Sequence, residues 1–187
     1  MIKVIRRAGV KAMIVLAACA QAVWAGDWTG PVAITHELRP CVSYRARLAG
    51  DFLVVQAKIE PGWHSFAMDN KQRAEEKLAG KQSLGIDGPT EITLTSGLQV
   101  AGPWYQSAPK DASKAELRWY TWIFEGEALF VAKVRRSGAG PAQIAIGGQA
   151  CTDTICKQID VTIPLPLPAK ADPGPLGIDL KTLVPVR

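Results

Sequence analysis

Two cysteines late in the chain, Cys151 and Cys156, are separated by four residues within Gly147–Gln158, GGQACTDTICKQ. An apolar alternation ends just before them, and a second alternating run, Gln158–Leu165, follows at once. A strand, a four-residue turn and a second strand make a hairpin in which positions i and i+5 are opposite partners. Opposed Cα atoms in an antiparallel pair lie roughly 4.5–5.5 Å apart, inside the window a disulfide needs. Three chemistries fit such a pair: a structural staple, a redox-active pair and half of a metal site. As a staple, so short a loop stabilises by only about 2 kcal/mol in the chain-entropy account. That is a weak reason to keep a bridge in a chain with a core of its own.

The neighbours of the two sulfurs differ. No Lys, Arg or His flanks Cys151, whereas Lys157 directly follows Cys156 and would favour a thiolate there. Asp153 in the turn opposes that effect, so no strongly depressed thiol pKa is expected. Cys151 follows the apolar run Ile144–Ala150, and a thiol at the end of a packed strand is desolvated and less reactive. Cys41 follows Pro40 at a strand entry and reads as a half-buried small hydrophobe. Of the two histidines, His36 sits among strand neighbours and is given no role. His64, in Trp63-His64-Ser65-Phe66, invites a catalytic or ligand reading. The plainer one is a ring hydrogen-bonded to nearby backbone. Trp63 and Phe66 read as core anchors.

Whether disulfides form depends on the compartment. Met1–Ala25 carries Lys3, Arg6, Arg7 and Lys11, then the apolar run Ala12–Ala20, too short to span a bilayer, then the small-residue site Val23-Trp24-Ala25. It reads as an export signal cleaved after Ala25. The competing reading is a lipobox, Leu16-Ala17-Ala18-Cys19, which would leave a lipidated Cys19 tethered to a membrane. Either way the expected location is outside the cytoplasm, in a periplasm, where disulfides persist. Removing this segment takes away four of the 22 basic residues and no acid. That leaves 18 basic against 17 acidic residues, a net of +1, in about 162 residues. No basic run survives that would suggest a nucleic-acid surface. An odd set of three cysteines remains, which means a free thiol, an intermolecular bridge or exchange.

The elements that must position the pair follow from alternation. Val32–Leu38, Val42–Leu48 and Phe52–Glu60 read as strands, the last ended by Pro61-Gly62. Asp69–Gln82 breaks the pattern and reads as a short exposed helix with Asp69 or Asn70 as its cap. Pro89–Thr95 and Leu98–Ala101 resume strand patterns. Gly102–Ser113 reads as a loop carrying Trp104 and Tyr105, which either pack over a sheet edge or shield something reactive. Ala115–Phe124 and Glu127–Val134 read as a hairpin turning at Glu125-Gly126, and Pro141–Gly147 leads into the cysteine hairpin. Residues 166–187 form a Pro-rich tail, extended and either bound along the domain or flexible. Eight or nine short strands and one helical excursion argue an all-β immunoglobulin-like sandwich over 26–165. There is no phosphate loop, no Gly-x-Ser-x-Gly elbow and no Cys-x-x-Cys. With two histidines, a structural zinc site is improbable.

Pro61-Gly62-Trp63-His64, Gly88-Pro89-Thr90-Glu91-Ile92 and the late cysteine pair together resemble the N-terminal periplasmic domain of the DsbD thiol–disulfide transporters, the disulfide bond corrector domains. The resemblance covers roughly Val32 to Leu165. It implies an immunoglobulin-like sandwich whose two cysteines, here Cys151 and Cys156, take electrons from a thioredoxin-like domain and pass them to periplasmic partners without a cofactor. It implies that the second cysteine, Cys156, bonds partners. It also implies an aromatic-tipped loop covering the pair at rest, for which Trp104 and Tyr105 are the candidates by position. The family's proteins continue into a multi-helix membrane domain and a thioredoxin-like domain. Neither is in this sequence, so the electron donor is expected to be a separate protein. The Asp69–Gln82 excursion is longer than the family's usual connection. The rival reading is an exported, non-catalytic binding module with a structural hairpin disulfide.

Overall fold

The computed structural model describes residues 27–167 and 176–187. The export segment 1–25, its cleavage site and Cys19 lie outside the described residues, as do residues 168–175 of the Pro-rich tail. In chain order come β1 (Val32–His36), β2 (Arg39–Ala49), β3 (Phe52–Ile59) and β4 (His64–Phe66), then the helix α1 (Asn70–Leu78). β5 (Glu91–Ser96), β6 (Leu98–Ser107), β7 (Lys110–Asp111), β8 (Trp122–Phe124) and β9 (Glu127–Arg136) follow. β10 (Ala142–Cys151) and β11 (Cys156–Leu165) form the long cysteine hairpin, and β12 (Leu183–Pro185) closes the chain.

These strands make two layers. One sheet has the order β1-β2-β3-β9-β6-β12; the other has the order β11-β10-β4-β8-β7, with β5 also paired to β10. The fold is an all-β sandwich of immunoglobulin-like type with a single α-helix among the described residues. Alternation builds the core: Val42, Tyr44 and Ala46 of β2 and Leu53, Val55 and Ala57 of β3 face Ile144 and Ile146 of β10 and Ile159 and Ile163 of β11. Phe124 and Phe130 meet edge to face across the layers, ring centroids 5.6 Å apart. Burying each such large side chain stabilises by about 1.5–3 kcal/mol.

Three sequence expectations change. The Gly102–Ser113 loop is in its first half a strand, because β6 runs on to Ser107 along β9. Gly102 and Pro103 fall where the register shifts between Val100 and Trp104, where a proline need not donate to the ladder. The expected strand Ala115–Phe124 is mostly an overhanging turn, with a 3-10 turn at Ala115–Leu117 and Arg118 at φ 52°; only Trp122–Phe124 is strand. Glu125-Gly126 is not a hairpin turn, since β8 and β9 lie in different sheets and the chain crosses between layers there. By contrast, the cysteine hairpin pairs in the expected register, from Ala142 opposite Leu165 to Cys151 opposite Cys156.

The helix is also less exposed than its composition suggests. Asn70, Ala74 and Leu78 are buried on one face. Asp69 makes no side-chain cap hydrogen bond; its Oδ1 accepts from Arg73 Nε and Gln106 Nε2, each at 2.7 Å. The last twelve residues pack on the sandwich. β12 pairs with β6, and Leu176, Ile178, Leu180 and Leu183 lie against Val54, Val131 and Tyr105 on the outer face of the first sheet. The fold therefore runs past Leu165.

Candidate functional site

The hairpin β10–β11 ends on the pair itself. Cys151 and Cys156 are joined by a disulfide, with Cα atoms 4.0 Å apart. The turn between them is held locally: the Thr152 amide donates to the Ile155 carbonyl at 2.7 Å, and Thr152 Oγ1 accepts from the amides of Thr154 and Ile155 at 3.2 and 3.1 Å. Such hydroxyl-to-backbone bonds favour a tight turn over a continued strand.

The second sheet's outer face carries the bridge. His64 on β4 is the cross-strand partner of Cys151, and Ile123 on β8 is the partner of Phe66. Side chains alternate along a strand, so His64 and Phe66 share a face while Ser65 points the other way, towards the core. Phe66, Ile123 and Cys151 form a small apolar cluster of their own. The His64 ring meets the Phe66 ring edge to face at 5.4 Å. Cys151 is only 2% exposed, whereas Cys156 is exposed.

A cavity of about 710 Å³ opens beside the bridge. One wall is the turn 151–156. Another is His64 and Phe66, and a third is the overhanging segment from Ala112 to Thr121. Trp119 lines it and is 37% exposed; its Nε1 donates to Asp87 Oδ2 at 2.9 Å, and Asp87 also lines the cavity. The overhang is closed on itself by Lys114 and Trp119, whose amides bond each other's carbonyls at 2.7 and 3.1 Å. It is tied to the 83–87 loop by Ser83 Oγ, which donates to the Arg118 carbonyl at 2.8 Å. The buried Asn70 amide joins both rims. Its Nδ2 donates to the Asp87 carbonyl at 3.1 Å, and its Oδ1 accepts from the Trp122 amide at 2.7 Å and from Thr121 Oγ1 at 3.4 Å.

The expected site residues are thus placed unequally. Cys151 and Cys156 are together. Trp104 and Tyr105 lie on β6 in the other sheet, opposite Ala132 and Val131, and do not line the cavity. On its other side Tyr105 is the register partner of Pro185 of β12. Trp119 and Asp87 are residues that sequence reasoning passed over. The polar run Ser113–Arg118 before an aromatic is the signal for an overhang, obscured by the aromatic, strand-like run Trp119–Phe124.

Lys157 is opposite Ala150 on the inward side of the hairpin and does not line the cavity. Its charge acts instead on Cys41, which is fully buried; burial pushes the Cys41 thiol up, and Lys157 partly offsets that. His64 is held below its ordinary pKa, chiefly by burial, against the opposing pull of Asp87, Asp153 and Glu125. Among the described residues no cluster of three or more His, Cys, Asp or Glu side chains is placed to hold a metal ion.

No family model matches the chain, and no curated protein matches it in sequence. Among solved structures it is similar to the N-terminal domain of Neisseria meningitidis DsbD in its reduced form: 13% identity, 69% of this chain and 90% of that one, TM-score 0.48. It is also similar to the complex between the DsbD and PilB N-terminal domains of the same organism: 13% identity, 69% and 88% coverage, TM-score 0.46.

Proposed function

We propose that the chain is a thiol–disulfide exchange domain working outside the cytoplasm, passing electrons between a thioredoxin-like donor and disulfide-bonded protein partners through Cys151 and Cys156. The observation that carries this reading is the asymmetry of the bridge. One sulfur belongs to an exposed residue and the other to a buried one, and both residues line the same cavity. An exposed sulfur is open to in-line attack, and a sheltered one is suited to resolve the product. Trp119, not Trp104 or Tyr105, takes the part of the aromatic shield that the family resemblance implies.

In the outgoing reaction the Cys156 thiolate attacks one sulfur of a partner disulfide. The Cys156–partner bond forms, the partner's S–S bond breaks, and the electron pair leaves on the partner's second sulfur, which takes up a proton. Cys151 then gives up its proton and attacks Cys156 Sγ. The internal disulfide forms and the partner departs with both sulfurs reduced. Two electrons and two protons have moved to the partner. Recharging by a dithiol donor is the same sequence reversed.

Trapping tests the assignment. Reduced Cys151→Ser, mixed with an oxidised thioredoxin-like partner, should accumulate a covalent complex on a non-reducing gel, because the resolving sulfur is gone. Better trapping by Cys156→Ser would reverse the roles. Trapping by neither variant above the Cys41 background would leave a stapled binding module.

A further inference from the structure

We propose that His64 is the proton acceptor for Cys151 in the resolving step, a catalytic residue beside the buried sulfur. This rests on the exchange reading above and adds a group to it.

The geometry is local and comes from the sheet. His64 and Cys151 are register partners on β4 and β10, and directly opposed residues of an antiparallel pair project to the same face with Cβ atoms roughly 4.5–5.5 Å apart. Both line the same cavity. The ring is steadied edge to face on Phe66, which itself packs with Cys151. Among the described residues neither ring nitrogen of His64 has a hydrogen-bond partner, so the plainer expectation of a backbone-bonded histidine does not hold.

The chemistry needs such a group. Cys156 is exposed and can lose its proton to water, but Cys151 is almost sealed from solvent. A buried thiol resists ionisation, and a base within reach removes that barrier. The groups facing His64 are Asp87 from the 83–87 loop, Asp153 from the cysteine turn, Glu125 from the end of β8 and Lys110 from β7, with Lys114 of the overhang on the same cavity. Burial outweighs the three carboxylates and holds the imidazole below its ordinary pKa, which favours the neutral form that accepts a proton. In the step, the S–H proton of Cys151 moves to the imidazole as its sulfur attacks Cys156 Sγ. The Cys151–Cys156 bond forms and the Cys156–partner bond breaks. The electron pair leaves on the partner's sulfur, and the imidazolium returns its proton to that sulfur or to solvent.

The full reduced chain reacted with the aromatic disulfide dithionitrobenzoate separates the steps without any natural partner. Attack by Cys156 releases one thionitrobenzoate, and resolution by Cys151 releases the second. Slow background from Cys19 and Cys41 is read from the Cys151→Ser/Cys156→Ser double variant. The expected result for His64→Gln is an unchanged first release and a second release slowed at least about tenfold at pH 7. The wild-type chain alone supplies a second measure. Its second release should level off at a pH below 6.5, the ordinary histidine value, whereas the variant's should keep rising towards thiol ionisation. A wild-type second release that climbs through pH 7–8, or a His64→Gln variant with wild-type rate and profile, overturns the role of His64 and leaves exchange standing. No second release from the wild type sinks the exchange reading itself, and His64 falls with it.

Discussion

Cys151 and Cys156 share one bond and have opposite surroundings, and that difference separates an exchangeable bridge from a buried staple. A bridge sealed on both sides is protected kinetically as well as thermodynamically. Here the exposed residue of the pair borders a cavity, and the turn Thr152–Ile155 spans only four residues, so little chain entropy holds the oxidised form. The reduction potential should therefore lie above about −300 mV, where labile and catalytic disulfides are found. Equilibration against glutathione and dithiothreitol couples measures it, and a value well below that line would favour the staple. The pairing itself is legible in sequence because it depends only on hairpin register, which is local. Lys157 shows the limit of that locality. It neighbours Cys156 along the chain, yet alternation turns it inward towards Cys41. Trp119 and Asp87 are illegible for a related reason: they meet only because two loops, 32 residues apart in sequence, overhang the same face.

At the level of elements, α1 is the strut of the site. Composition reveals the helix but not its role: Asp69 does sit at the N-cap, but the side chains of Asp69 and Asn70 serve as buried connectors instead of making a cap hydrogen bond. Asn70 bonds both rims of the cavity, through Asp87 on one side and Thr121 and Trp122 on the other. Asn70→Ala leaves buried partners unsatisfied and should cost about 2–3 kcal/mol in denaturant unfolding. Amide exchange at Trp122 should rise in the same variant, and unaltered stability and exchange would remove the strut from the account. Asp69 ties the helix to β6 and to the C-terminus. Burial alone would raise its pKa, but Arg73, Gln106 and the Arg187 amide together hold it below the ordinary 3.8. The sign is then fixed: a depressed carboxylate contributes stability above its unfolded pKa and loses it as pH falls through the folded one. Stability should decline below about pH 4 in the wild type. That acid-side slope should shrink in Asp69→Asn, as followed by urea midpoints between pH 2 and 6.

The whole molecule is a sandwich with something laid over each outer face. On the second sheet the overhang 112–121 covers the cavity beside the bridge. On the first sheet the C-terminal segment does the covering. Leu176, Ile178, Leu180 and Leu183 pack on Ala49, Val54, Val131 and Tyr105, and β12 occupies the edge of β6. The aliphatic spacing of Leu176, Ile178, Leu180 and Leu183 is what docks the C-terminal segment. Arg47 Nη2 donates to the Leu176 carbonyl at 2.6 Å, the Arg187 amide donates to Asp69 Oδ2 at 3.3 Å, and the Arg187 guanidinium meets Glu76 at 2.7 Å. The two coverings are linked, since Asp69 holds the tail's last residue and the adjacent Asn70 holds the cavity rims. Deleting residues 176–187 should therefore act in two ways. It strips an apolar face and bares the β6 edge, each docked leucine or isoleucine being worth up to about 1.5–3 kcal/mol, and an open edge strand invites pairing with a second copy. Thermal unfolding should shift down by several degrees, and light scattering should report association. The first release of thionitrobenzoate from Cys156 should persist in whatever fraction remains folded, because the hairpin pair does not touch the tail. A truncated chain that is monomeric and as stable as the full one would show that the sandwich ends at β11.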